Sequence, residues 1–263
     1  MVGGAIRRAA LAGLIFLMFY RVATAETGLL QEGISRLEQA VADWDGTQMG
    51  KAAELLRHAA ENGGQEPRAY YWLAAAHYQL AAFFLHGRSE DQNPQRGKEQ
   101  VDLGLAAAEQ AVELAPDDAE SLILRGVLSG MKIQEGLWQA LTLGPRVEAD
   151  RNRALELVPE NPRVHYLTGL SLWFAPEGFG DRGRALEQFL KAETLFEQEA
   201  GRPAGPYEPR WGRVQNLAFI GDVYSSQGDI ERARDYYRRA LALNPGEALA
   251  SQRMKELEAR NKP

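Results

Sequence analysis

Small and large apolar residues recur along the chain at helical intervals, and three stretches break the pattern in the same way: Ala111–Asp118 (AVELAPDD), Ala154–Asn161 (ALELVPEN) and Ala240–Glu247 (ALALNPGE). Each reads Ala-x-x-Leu-x-Pro. A buried helical stripe ends in a proline that cannot continue it, and acidic or Asn residues suited to start the next helix follow. Pro116 and Pro159 are 43 residues apart and Pro159 and Pro245 are 86 apart, so one more unit fits between the last two. In the last unit Leu217, Ile220, Gly221 and Tyr224 share a helical face and Gly228 and Asp229 make a turn. Ala233, Tyr237 and Ala240 then stripe a second helix up to Pro245.

These offsets resemble the tetratricopeptide repeat (TPR), in which small residues let two antiparallel helices approach and large ones fill the gaps. Working backwards, Leu167, Gly169 and Leu172 pair with Ala185, Phe189 and Ala192, and Leu122 and Gly126 open a unit ending at Ala154 and Pro159. Tyr70, Leu73, Ala74 and His77 pair with Gly104, Ala108 and Ala111, and Leu37, Ala40 and Val41 pair with Ala52, Leu56 and Ala59. The resemblance covers roughly residues 29 to 261 and implies an all-α solenoid of about five helix pairs, with a capping helix over Glu247 to Arg260. Earlier units exceed the 34-residue period, by about 18 residues in the second and about four in the fourth. These insertions are expected in the turns between paired helices. The chain is also similar to the TPR component of some TRAP transporters, but that component is a lipoprotein and this chain has no Cys to lipidate.

In this family the first helix of each pair lines the concave side. The resemblance therefore places Tyr71, Ala75, Tyr78 and Gln79 of the second unit in the groove, with Ile123, Val127 and Met131 of the third. Arg163, Tyr166, Leu170, Trp173 and Phe174 of the fourth join them, and Gln79, Arg163, Gln215 and Asp222 are the expected register-setting polar contacts. The competing expectation is that insertions, or the loop from Gly201 to Pro209, fold over these residues and bury them as core.

Composition sharpens the fold class: 39 Ala stand against 24 Val, Ile and Thr together, which argues against a large sheet. Arg7 and Arg8, an apolar run from Ala9 to Phe19, and Ala23-Thr24-Ala25 read as a secretory signal over residues 1–25, with the solenoid domain over 26–263. Cleavage before Glu26 would remove three arginines and no acid, taking the formal charge from −6 to −9. An acidic chain disfavours nucleic acid and anionic membrane surfaces as partners. Export makes it periplasmic in a Gram-negative source, and the mass of the mature chain decides whether the signal is removed.

The motifs that could carry chemistry are weak. Gly178, Gly180 and Gly183 spell G-x-G-x-x-G, yet a dinucleotide site requires a strand before the first glycine, and Leu167 to Phe174 has helical spacing. A glycine-rich turn fits better: Pro176 stops one helix, Asp181 caps the next, and Phe179 folds back over the apolar interface. His58, His77, His86 and His165 fall in different units with no helical-spacing partner, so no metal site or other cofactor is expected. His77 reads as a core residue, and His165 as the better candidate for an exposed contact. No catalytic carboxylate stands out. The sequence thus points to a non-enzymatic module holding a peptide or helix of an envelope protein in its groove. The alternative is a small-molecule-binding accessory protein of a transporter. A groove open at both ends favours the first, and a closed cavity favours the second.

Overall fold

The structure is a computed structural model that describes residues 28–63, 66–133, 137–175 and 180–260. It is all-α, with no strand among the described residues. Five antiparallel helix pairs follow in order: α1 (28–42) with α2 (Gly46–Asn62), α3 (Pro67–His86) with α4 (Pro94–Leu114), and α5 (Ala119–Ile133) with α6 (Leu137–Leu157). Then come α7 (Pro162–Trp173) with α8 (Arg182–Ala200) and α9 (Arg213–Ser226) with α10 (Ile230–Leu243), closed by the capping helix α11 (Ala248–Arg260). Pro176, Gly178 and Phe179 of the glycine-rich turn lie outside the described residues.

Helix starts follow the local chemistry. Asn161 accepts from the Arg163 and Val164 amides with Pro162 in the first turn, and Asp118 accepts from the Ser121 amide at 3.0 Å. Asp181 and Asp229 accept from the Arg184 and Arg232 amides. These caps satisfy amides that have no partner inside the helix. Close helix approach depends on Gly169 and Gly221: an added Cβ would meet the Phe189 ring at 2.5 Å in one case and overlap the Tyr237 ring in the other. The core threads the stack through Leu56, Trp72, Leu124, Leu167, Phe189 and Tyr237, all fully buried.

Two expectations are corrected. In the second unit the extra residues lengthen the helices rather than the turn: α3 has 20 residues and α4 has 21, with only 87–93 between them. The same holds for α6, at 21 residues. In the fourth unit α7 ends at Trp173 and α8 starts at Arg182, and residues 176–179 between them lie outside the described residues. Nor do units touch only their neighbours. Asn244 Nδ2 donates to the Ala42 carbonyl at 3.0 Å, joining the end of the fifth pair to the first.

Residues 201–212, between α8 and α9, form a strap that reaches the second unit. Trp72 Nε1 donates to the Tyr207 carbonyl at 2.9 Å, and Trp211 Nε1 donates to the Tyr71 hydroxyl at 3.1 Å. Arg210 holds the strap to its own base, donating to the Glu199 carbonyl at 2.6 Å and the Pro203 carbonyl at 2.9 Å. The strap ends at Gly212, whose φ of 107° only glycine adopts without strain. Tyr207, at φ 57°, is one of two non-glycine residues with positive φ among those described. The other is Trp44, at φ 53° in the α1–α2 turn.

Candidate binding cavity

The curved stack and the capping helix wall a cavity of about 1530 Å³ on the concave side, and Trp211 of the strap packs against two of its lining rings, Tyr78 and Tyr166. First helices supply about half of the wall, among them Tyr78 and Leu85 from α3, Met131 from α5, Leu170 and Trp173 from α7, and Phe219 from α9. Trp44, Leu141 of α6, and Leu249 and Arg253 around α11 complete it.

A run of rings crosses this wall. Trp211 of the strap lies 5.9 Å from Tyr78 and 6.4 Å from Tyr166, and Tyr166 lies 6.4 Å from Phe219. Phe219 sits edge-on to Phe174 at 5.8 Å, and Phe174 stacks on His86 at 5.7 Å. Phe174 is 41% exposed. Tilted and edge-on pairs of this kind add packing energy beyond the area they bury. Burial pushes the Tyr78 hydroxyl up to about 12, against a hydrogen bond with Tyr166 that pulls it down. Burial, with Arg253 in addition, holds His86 below the ordinary imidazole value, so that ring is neutral at pH 7.

Ten of the fourteen expected groove residues line this cavity: Tyr78, Gln79, Val127, Met131, Tyr166, Leu170, Trp173, Phe174, Gln215 and Asp222. Ala75 and Ile123, buried in the core, do not, and neither do Tyr71 and Arg163. Tyr71 is 1% exposed beneath the strap, where its hydroxyl accepts the Trp211 indole N–H. Arg163, also 1% exposed, is the centre of a buried ion pair. Its Nη1 and Nη2 grip Glu199 at 2.8 and 2.6 Å and its Nε meets Glu120 at 2.9 Å, tying α7 to α8 and α5. Burial pulls the guanidinium down, but Glu120 and Glu199 hold it above its ordinary value. It is a structural clamp and sets no ligand register. Asp222 faces the cavity but is already engaged, accepting from the Tyr237 hydroxyl at 2.7 Å and from Arg253 Nε at 3.1 Å.

His165 is likewise no exposed contact. It is buried, with Nδ1 at 2.6 Å from Gln188 Oε1 and Nε2 at 2.8 Å from the Pro159 carbonyl. His77 is half-buried, its Nδ1 at 2.8 Å from Gln100 Oε1. Counting first-helix positions misses Trp44, which lines the cavity from the α1–α2 turn, and Arg151 and Arg184, which reach it from second helices. No periodic signal marks any of the three.

Comparison with known proteins agrees with this architecture. Residues 215–247 match the tetratricopeptide repeat family. Over 119 residues, 44% of this chain, the sequence is 33% identical to Tetratricopeptide repeat protein 37 of Xenopus laevis. Over 168 residues, 57% of this chain, it is 25% identical to Regulator of microtubule dynamics protein 2 of Bos taurus. The chain spans only 7% and 38% of the lengths of these two relatives. Among solved structures, TTC0263, a thermophilic TPR protein of Thermus thermophilus, superposes with a TM-score of 0.63 at 16% identity. That match covers 89% of this chain and 99% of the other. The HusA haemophore of Porphyromonas gingivalis superposes with a TM-score of 0.59 at 20% identity, covering 76% of this chain and 92% of that one. Both likenesses are of fold.

Proposed function

We propose that this chain, which matches the tetratricopeptide repeat over residues 215–247, is an exported, non-catalytic binding protein that holds an apolar molecule in its concave cavity. The fold is one of protein-interaction scaffolds. What favours a discrete molecule here is one observation: the strap seals the Tyr71 side of the groove, where an extended partner segment would otherwise lie. The remaining hollow is larger than a metabolite pocket of about 300–1,000 Å³, so it suits a long or bulky ligand. Neighbours of this fold include a haemophore, so such a stack is compatible with small-molecule cargo. Export is supported by the pattern of residues 1–25.

A second reading, docking of an apolar segment of a partner protein, has its own support. Trp138 and Leu141, one helical turn apart on α6, are 74% and 64% exposed, and Leu141 reaches the cavity. Such a lip suits a partner helix.

Titration with Nile red, an uncharged apolar dye, tests the first reading. The wild-type chain is expected to give saturable, blue-shifted emission. Ser171→Trp, which puts an indole into the cavity, should weaken binding by about tenfold or more with helicity retained. Absence of saturable dye binding to the wild-type chain would refute it.

A further inference from the structure

The charged groups of the cavity are not equally neutralised. Arg253 lines it with Nε at 3.1 Å from Asp222 and Nη1 at 3.1 Å from Glu256. Arg151 of α6 and Arg184 of α8 line it as well, where α6, the end of α7 and the start of α8 meet. Here the pairing fails. The Arg151 side chain is 16% exposed, as buried as Arg125 at 18%. Arg125 grips Asp150 at 2.8 and 2.5 Å, whereas the carboxylate nearest Arg151, on Glu148, is 3.9 Å away on a side chain 68% exposed to solvent.

Arg184 brings a second positive charge to the same place. Asp181 also lines this end, but its carboxylate accepts the Arg184 backbone amide at 2.9 Å as the cap of α8. No carboxylate among the described residues pairs with the Arg184 guanidinium. The Asp181 cap offsets the dipole of α8, but it leaves the Arg184 guanidinium itself without a paired carboxylate. Burial pulls Arg151 below the ordinary guanidinium value and the charge of Arg184 lowers it further, against a partial offset from Glu148. Arg184 is exposed to solvent, so the cost of an unmatched charge falls mainly on Arg151, whose side chain is 16% exposed.

We propose that Arg151 and Arg184 hold the anionic head group of the cavity's ligand, which is therefore an amphiphile with a carboxylate or phosphate monoester on an apolar body. An oxyanion there accepts charge-assisted hydrogen bonds from both guanidinium groups, while the body lies along Leu170, Trp173 and Phe219. This rests on the reading of the cavity as a ligand site.

The test compares cis-parinaric acid, a fluorescent straight-chain carboxylate, with its methyl ester, and uses dodecyl phosphate as competitor. The wild-type chain should bind the acid about tenfold or more tightly than the ester. Arg151→Gln and Arg184→Gln should each erase that preference while leaving ester affinity unchanged. Displacement of the acid by dodecyl phosphate extends the head group to phosphate, and resistance to displacement restricts it to carboxylate. In the wild-type chain added salt should weaken the acid and spare the ester, a readout that needs no variant to fold. Equal affinity for acid and ester would overturn the head-group assignment alone if Nile red still binds. Failure of acid, ester and dye together would overturn the cavity reading as well.

Discussion

At Gly221 the α9 backbone passes so close to the Tyr237 ring that no Cβ fits, and this contact was legible in the last repeat's spacing alone. Gly221→Leu should therefore overpack the α9–α10 interface and cost about 1–3 kcal/mol or more, read as a lower midpoint in thermal or urea unfolding. An unchanged midpoint would contradict the close approach. Arg163 shows where residue-level reading stops. Its place on the helix was counted correctly, but its partners Glu120 and Glu199 lie 43 and 36 residues away in sequence. A repeat pattern specifies which helices pack. It does not specify which charges meet between them, so a groove contact and a buried clamp look alike in the sequence.

Helices and turns were legible where local chemistry writes them. The Pro-terminated stripes predicted the ends of α4, α6 and α10, and the caps at Asp118, Asn161 and Asp181 followed from short polar side chains before apolar runs. The strap was legible only as an alternative, because Tyr207 and Trp211 belong to no periodic segment and their partners, Trp72 and Tyr71, are 135 and 140 residues distant. Lengthening of α3 and α6 escapes a fixed 34-residue template, which assigns apolar stretches such as 81–85 and 137–143 to turns, and the first turns of α4, PQRGKEQ, carry no apolar periodicity at all. The strap carries its own prediction. Trp211→Ala removes the indole that bonds Tyr71 and packs on Tyr78 and Tyr166. Amide hydrogen exchange over residues 201–212 should quicken by an order of magnitude or more, consistent with about 1–3 kcal/mol of lost local stability. Exchange across α9 and α10 should change little. Unaltered exchange in the strap would mean that it is held by something other than these rings.

At the scale of the molecule, a linear stack has become a walled one. The Asn244–Ala42 bond joins its two ends, and the strap spans the concave side between the fourth and second pairs. Simple solenoids transmit contacts only to the next repeat. Closure of this kind depends on accumulated twist and on segments outside the repeats, and neither is written in any one unit. It narrows the expected open groove on the side of Tyr71, and so moves the balance from a peptide towards a discrete apolar cargo. Native mass spectrometry of the chain isolated without denaturation from the cell that makes it tests that claim most directly. The account predicts one or a few discrete apolar compounds bound to the folded protein and released on unfolding. A bare chain after gentle isolation, with crosslinks from Trp173 and Phe174 leading only to another polypeptide, would contradict it.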